Sequence, residues 1–135
     1  CARGRGRRGV GVDVRFRDLD PLGHVNNAVF LSYMELARIR YFQRISPDWL
    51  EEGHFVVARM EVDYLRPILL GDEVFVGVRT VGIGRSSLRM EHLVTANGES
   101  AAKGLGVLVW LEGGRPAPLP EAIRERIRAL EGRPL

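Results

Sequence analysis

The sequence predicts an α+β fold: one long helix laid against a meander of antiparallel strands, with a second helix near residue 130. Three observations predict it. Apolar and polar residues alternate from Gly9 to Arg17 and in several stretches after residue 54, the two-residue period of half-buried strands. Between them, residues 27–44 change to a period of three and four, which is helical. Turn signals then separate the later strands at short intervals; the strongest is Asn97-Gly98, a dipeptide suited to a two-residue hairpin.

Each element has its own justification. In the first strand Val10, Val12, Val14 and Phe16 share one face, and Asp13, Arg15 and Arg17 the other. Asp20-Pro21-Leu22-Gly23 is turn chemistry. The helix 27–44 carries Phe30, Tyr33 or Met34, Ala37 and Tyr41 on one stripe, widened by Leu36 and Ile39. Asn26 or Asn27 suits its N-cap, because a side-chain oxygen there accepts from first-turn N–H groups. Ser46-Pro47 ends or interrupts the helix, and residues 48–52 fit a short extra turn. The strand 54–66 points Val56, Ala58, Met60, Val62 and Tyr64 inward and Arg59, Glu61 and Asp63 outward. Pro67 and Gly71-Asp72 lead into the strand 73–82, with Val74, Val76 and Val78; a turn at Gly82 to Gly84 leads into 85–96. The strand 100–112 has Ala102, Gly104 and Gly106 on one face, open to close approach by the helix or a partner chain. Gly113-Gly114 and three prolines form a loop, and 120–131 is a second helix, with Ile123, Ile127 and Leu130 on one stripe.

A chain of 135 residues is expected to be one domain, here residues 9–135 behind a basic tail 1–8. Arg3, Arg5, Arg7 and Arg8 supply four charges; without them the formal net charge of +3 becomes −1. The tail is expected to be disordered, and neither nucleic acid nor membrane is an expected partner. The single cysteine, Cys1, cannot form an internal disulfide. No run of 18 apolar residues and no signal segment is apparent, so a cytoplasmic protein is expected.

The chemistry concentrates in Asp18-Leu19-Asp20-Pro21-Leu22-Gly23-His24-Val25-Asn26-Asn27-Ala28-Val29-Phe30. Two carboxylates, a turn and a histidine stand directly before the long helix. This order brings Asp20 beside the exposed N–H groups of a helix N-terminus. A carboxylate activates water or attacks a carbonyl carbon, and free amides hold the resulting oxyanion. That is the equipment of acyl transfer.

This stretch resembles the signature of the hotdog-fold thioesterases, in the 4-hydroxybenzoyl-CoA thioesterase-like group. The Leu-Asp-x-x-x-His-Val-Asn-Asn form is most similar to the long-chain acyl-CoA and plant acyl-ACP thioesterases. The similarity continues through Glu35-Leu36-Ala37-Arg38, Tyr64-x-Arg66-Pro67, Gly71-Asp72 and Gly84-Arg85-Ser86-Ser87. Many relatives carry histidine where Asn27 stands and tyrosine where Phe16 stands, which directs the match to the subgroup containing His24.

The resemblance implies a hotdog fold, a five-stranded antiparallel sheet wrapped around the central helix. It implies hydrolysis of an acyl-CoA thioester, with Asp20 as the catalytic carboxylate, His24 orienting it or a water, and a backbone N–H near Asn27 polarising the carbonyl. It also implies that Gly84, Arg85, Ser86 and Ser87 contact coenzyme A, often across a subunit boundary. Arg66 and Arg85 suit phosphates. Homodimers or homotetramers are expected, with the site at the dimer interface. No cofactor is expected, since water is the second substrate. The alternatives are a non-catalytic acyl-CoA-binding protein, an acyl-ACP thioesterase, and hydration or dehydration of an acyl thioester.

Other candidates have blander readings. Asp18 is expected to be loop-structural or solvent-facing, and Glu35 to pair with Arg38 on the helix surface or approach the pocket. His92 is expected to be a partly buried structural residue and His54 exposed. The three histidines lack metal-ligand spacing, so no metal is expected. Neither Ser86 nor Ser87 lies in a nucleophile elbow.

Overall fold

A computed structural model of the chain describes residues 9–45 and 53–135. The expectations for the tail 1–8 with Cys1, for Ser46-Pro47 and for the turn at 48–52 lie outside the described residues. The elements are β1 (Val10–Val12), a 3-10 turn (Phe16–Asp18), α1 (Asn27–Ile45), β2 (His54–Tyr64), β3 (Val74–Ile83), β4 (Ser87–Ala96), β5 (Glu99–Glu112), β6 (Arg115–Pro116) and α2 (Glu121–Glu131).

The strands form one antiparallel sheet in the order β1-β3-β4-β5-β2, and the short β6 pairs with β5. The α+β hotdog architecture is therefore present, with β6 as a small addition where the sequence suggested only loop. Gly113 and Gly114 have φ of 60° and 80°, the paired positive values of a tight hairpin, and this turn brings Arg115 back onto Glu112. Asn97 and Gly98, at φ 54° and 84°, make the expected turn between β4 and β5. The Asn97 side chain reinforces it, accepting from Glu73 N–H at 2.9 Å and donating to Asp72 at 3.1 Å.

Three strand expectations are corrected. The first strand stops at Val12, because the Asp18 carboxylate accepts the Arg15 N–H at 2.9 Å and winds the chain into the 3-10 turn. Phe16, expected inward, is consequently 81% exposed. In β2 the register slips between Val57 and Arg59. A bulge of this kind inserts one residue and swaps the faces. Phe55 before it and Met60 and Val62 after it turn toward the core, whereas Val56 and Ala58, expected inward, are exposed; Tyr64 keeps the inward face against Phe30 but remains 42% exposed at the strand end. The strand after the Gly84 turn begins at Ser87, two residues later than expected, and Gly82 still belongs to β3.

Helix α1 lies across the inner face of the sheet. Phe30, Tyr33, Met34 and Ala37 pack with Val74, Val76, Val94 and Ala102. Further along, Tyr41, Phe42 and Ile45 pack with Leu88, Met90, Leu108 and Trp110, and with Ile123 and Ile127 of α2. Phe42 stacks on Phe55 at 4.7 Å, and Phe55 meets the edge of Trp110 at 5.0 Å. The glycines of β5 make the close approach possible: a Cβ at Gly104 would sit 3.0 Å from Met34 Sδ. A buried polar knot fixes α2. Tyr41 OH donates to Glu131 at 2.6 Å and takes a hydrogen bond from Thr80 Oγ1 at 2.7 Å; Glu131 also accepts the Thr80 N–H at 2.8 Å, at the second bulge of the sheet.

Candidate active site

Asp20 lies in a small hairpin folded on itself. Leu19 bridges to Val25, Asp20 N–H donates to His24 O at 2.7 Å, and Gly23 N–H donates to Asp20 O at 2.9 Å. Gly23 adopts φ 86°, which a residue with a Cβ rarely tolerates. Asp20 Oδ1 accepts two amides, Leu22 N–H at 2.9 Å and His24 N–H at 3.1 Å. Both bonds fall on one oxygen, so the loop aims the carboxylate without using Oδ2. His24 contributes through its backbone here, and its side chain is half-buried.

Two neighbours pin the hairpin. Val25 N–H donates to Ile68 O at 2.8 Å, and His24 bridges to Leu69. On the other side Asp18 is buried, and Tyr33 OH donates to its Oδ2 at 2.8 Å. The expected structural role of Asp18 holds; the solvent-facing alternative does not. Burial, then the Asp18 carboxylate, pushes the Tyr33 hydroxyl well above the usual tyrosine range. Tyr33 is in α1, so this bond ties the carboxylate loop to the helix.

The helix start resolves the choice of cap. Asn26 Oδ1 accepts the Ala28 N–H at 2.8 Å, and Asn26 O accepts the Val29 N–H at 2.9 Å. Asn26 is the N-cap, and the amide of Asn27 is the first-turn donor that this cap does not use. Asn26 N–H in turn donates to Asp18 O at 2.8 Å, which holds the helix start against the base of the Asp20 hairpin. Tyr64 OH donates to Asn27 O at 3.0 Å while its ring meets Phe30 edge-on at 5.2 Å.

The remaining candidates lie elsewhere. Arg66 is exposed and ion-paired with Glu99, beside the β4–β5 hairpin. Gly84, Arg85, Ser86 and Ser87 form the turn at the opposite end of β4, with Gly84 N–H donating to Ser87 O at 2.8 Å. That end packs on the last turns of α1. A helix of 19 residues is about 28 Å long, so one chain holds Asp20 and the 84–87 turn far apart.

Arg124 carries no sequence signal beyond its place on an exposed helix stripe, yet it meets three carbonyls. Its Nη2 donates to Gly84 O at 2.9 Å and Arg85 O at 2.8 Å, and its Nε to Leu119 O at 3.1 Å. Arg38, expected on the helix surface beside Glu35, is instead buried and donates to His92 Nε2 at 3.1 Å. A guanidinium only donates, so the His92 proton sits on Nδ1, 3.4 Å from Gly104 O. Burial, then the charge of Arg38, pushes His92 down to about 4. An open depression of about 1390 Å³ beside Ala37, Tyr41, Val78 and Leu130 touches neither Asp20 nor the 84–87 turn. Among the described residues no cluster of three or more His, Cys, Asp and Glu is placed to hold a metal ion. None of their helices is long and apolar enough to cross a membrane.

The family model of the thioesterase-like superfamily matches residues 14–127, and the chain belongs to that superfamily. It is 98% identical to a thioesterase from Thermus thermophilus complexed with coenzyme A and Zn, with a TM-score of 0.89 over 93% of this chain and 95% of that one. It is 32% identical to a predicted thioesterase from Bacillus stearothermophilus, with a TM-score of 0.83 over 89% and 92% of the two chains. It is also 27% identical, over 87% of its length and 65% of the relative's, to the chloroplastic acyl-acyl carrier protein thioesterase ATL3 of Arabidopsis thaliana.

Proposed function

We propose that the chain hydrolyses an acyl-CoA thioester to the free acid and coenzyme A. The observation that carries the reading is the Asp20 carboxylate, oriented through one oxygen by its own loop and held at the base of α1, where the Asn27 amide opens the helix. The coenzyme A in the Thermus thermophilus thioesterase supports the substrate class.

The Asn27 N–H polarises the thioester carbonyl and receives the charge that develops on its oxygen. Asp20 takes a proton from a water whose oxygen attacks the carbonyl carbon, the C–S bond breaks, and the departing thiolate takes that proton back from Asp20, which leaves the carboxylate as it began. A second route has Asp20 attack directly, giving an anhydride that water then opens; both use the same two groups. Losing one oxyanion donor costs about 2.7–4 kcal/mol in the barrier. His24 orients Asp20 through its amide.

The 84–87 turn and Arg85 hold the nucleotide end of coenzyme A. Since one chain separates that turn from Asp20, the working site combines two copies. Among the described residues β2 offers an 11-residue edge with no further strand beside it, with Val57 46% exposed, and an edge of this length is a template for a second strand. Pairing β2 with its own copy in antiparallel fashion brings the 84–87 end of one protomer toward the Asp20 end of the other. The plant relative favours a second reading, in which the same pantetheine thioester is presented by acyl carrier protein.

The test is thiol release across a panel of aromatic, medium and long acyl-CoAs and an acyl carrier protein thioester, with Asp20→Asn run beside it. Asparagine keeps the oxygen that accepts Leu22 and His24 N–H and removes the base. Turnover is expected to fall roughly 10²–10⁴-fold with the unfolding midpoint unchanged. Undiminished hydrolysis by Asp20→Asn rejects the assignment. Binding of an acyl-CoA without thiol release points to the non-catalytic alternative.

A further inference from the structure

We propose that Arg124 of α2 is a positioning residue that shapes the 84–87 turn into a cradle for a phosphate of coenzyme A; this rests on the acyl-CoA reading above. Gly84 O and Arg85 O are successive, and both accept from Arg124 Nη2, at 2.9 and 2.8 Å. Arg85 O also accepts the Leu119 N–H at 2.8 Å, and Ser86 O the Trp110 N–H at 2.8 Å. The turn thus spends its carbonyls on the protein body.

In a trans peptide the N–H points opposite to the C=O of the preceding residue. Turning the carbonyls of residues 84 and 85 toward Arg124 therefore turns the amides of Arg85 and Ser86 away from it, side by side on the outer surface of the turn. Successive amides facing one way form a concavity for anions. The turn is tight at Gly84: a Cβ there would lie 2.6 Å from Ser87 Oγ, and the Ser87 side chain would have to turn aside. The Arg85 side chain is exposed on the same turn and adds a movable charge. A guanidinium suits the clamp because its fixed fork reaches Leu119 O as well, joining the turn to the start of α2.

Arg124 makes no contact with the reacting carbonyl in this arrangement, and its removal weakens recognition of the nucleotide rather than the chemical step. The test uses the intact protein with Arg124→Ala and Arg124→Lys, each checked for an unchanged circular dichroism spectrum. Coenzyme A and pantetheine, which lacks the nucleotide and its phosphates, are titrated by calorimetry. Arg124→Ala is expected to weaken coenzyme A binding tenfold or more and leave pantetheine within twofold; Arg124→Lys, keeping one donor, is expected to fall between. In turnover, KM for acyl-CoA rises tenfold while kcat holds within twofold, and the N-acetylcysteamine thioester of the same acid keeps its kcat/KM. Equal losses for both ligands, or no loss for coenzyme A, overturn the proposal. If Arg124→Ala does not fold, Arg124→Lys carries the same comparison. A wild-type protein that binds coenzyme A but releases no thiol defeats the hydrolase reading while the binding arm still decides the role of Arg124.

Discussion

At the residue scale, the informative contrast is between two groups that look alike in sequence. Asp18 and Asp20 are both carboxylates in one turn, yet Asp18 is buried against Tyr33 and Asp20 keeps an oxygen free of its loop. Asp18→Asn is expected to slow turnover tenfold or more and to lower the unfolding midpoint, because it leaves Tyr33 OH facing a weaker, uncharged acceptor; differential scanning calorimetry beside the thiol assay checks both. His92 gives a pH signature. Its pKa is ordinarily near 6.5 and is pushed down to about 4 in the fold, so between those values the unfolded chain binds the proton and the folded chain does not. Stability is therefore complete above pH 6.5, falls as the pH drops toward 4, and has lost about 3 kcal/mol below that. Urea unfolding across pH 4–7 checks it, and His92→Gln is expected to flatten the slope. The position of Asp20 before a helix start was legible in the sequence. The Arg38–His92 pair was not, because Glu35-x-x-Arg38 spacing fits a surface ion pair equally well and only the sheet decides that the arginine turns inward.

At the scale of elements, α1 is both the centre of the core and the end wall of the candidate site. Its cap is Asn26, and Asn26→Ala is expected to cost about 1 kcal/mol of stability in chemical denaturation. The same substitution frees the Ala28 amide and loosens the peptide next to the Asn27 N–H, so kcat is expected to fall more than KM rises. Gly104 is the matching feature of the sheet. A valine there pushes into Met34, which is fully buried, and is expected to destabilise by about 1–3 kcal/mol on the same measurement. The long helix, the four long strands and the Asn97-Gly98 turn were readable because each rests on local periodicity or turn chemistry. The bulges at Val57/Arg59 and Thr80/Gly82 were not: a bulge answers to the register of the neighbouring strand, which alternation alone does not encode. For that reason the inward face of β2 was assigned correctly at Met60 and Val62, beyond the slip, and wrongly at Val56, before it.

At the scale of the whole molecule, the separation of the Asp20 hairpin from the 84–87 turn makes assembly a condition of activity on the proposed two-copy reading. On the proposed pairing of two copies along β2, Val57→Lys puts a charge in place of an apolar side chain at the seam. Light scattering is expected to find a smaller species, and thiol release is expected to fall in parallel with the loss of the larger one. A protein that stays assembled and active with lysine at 57 places the second copy on another face.

The polar knot around Thr80 has a consequence for how the protein is made. The Thr80 amide obtains its acceptor from Glu131, 51 positions downstream. A ribosome that has finished the sheet has not yet supplied that oxygen. The Thr80 amide therefore lacks its native acceptor in the nascent chain until residue 131 has left the ribosome, so this hydrogen bond of β3 is completed only after α2 is made.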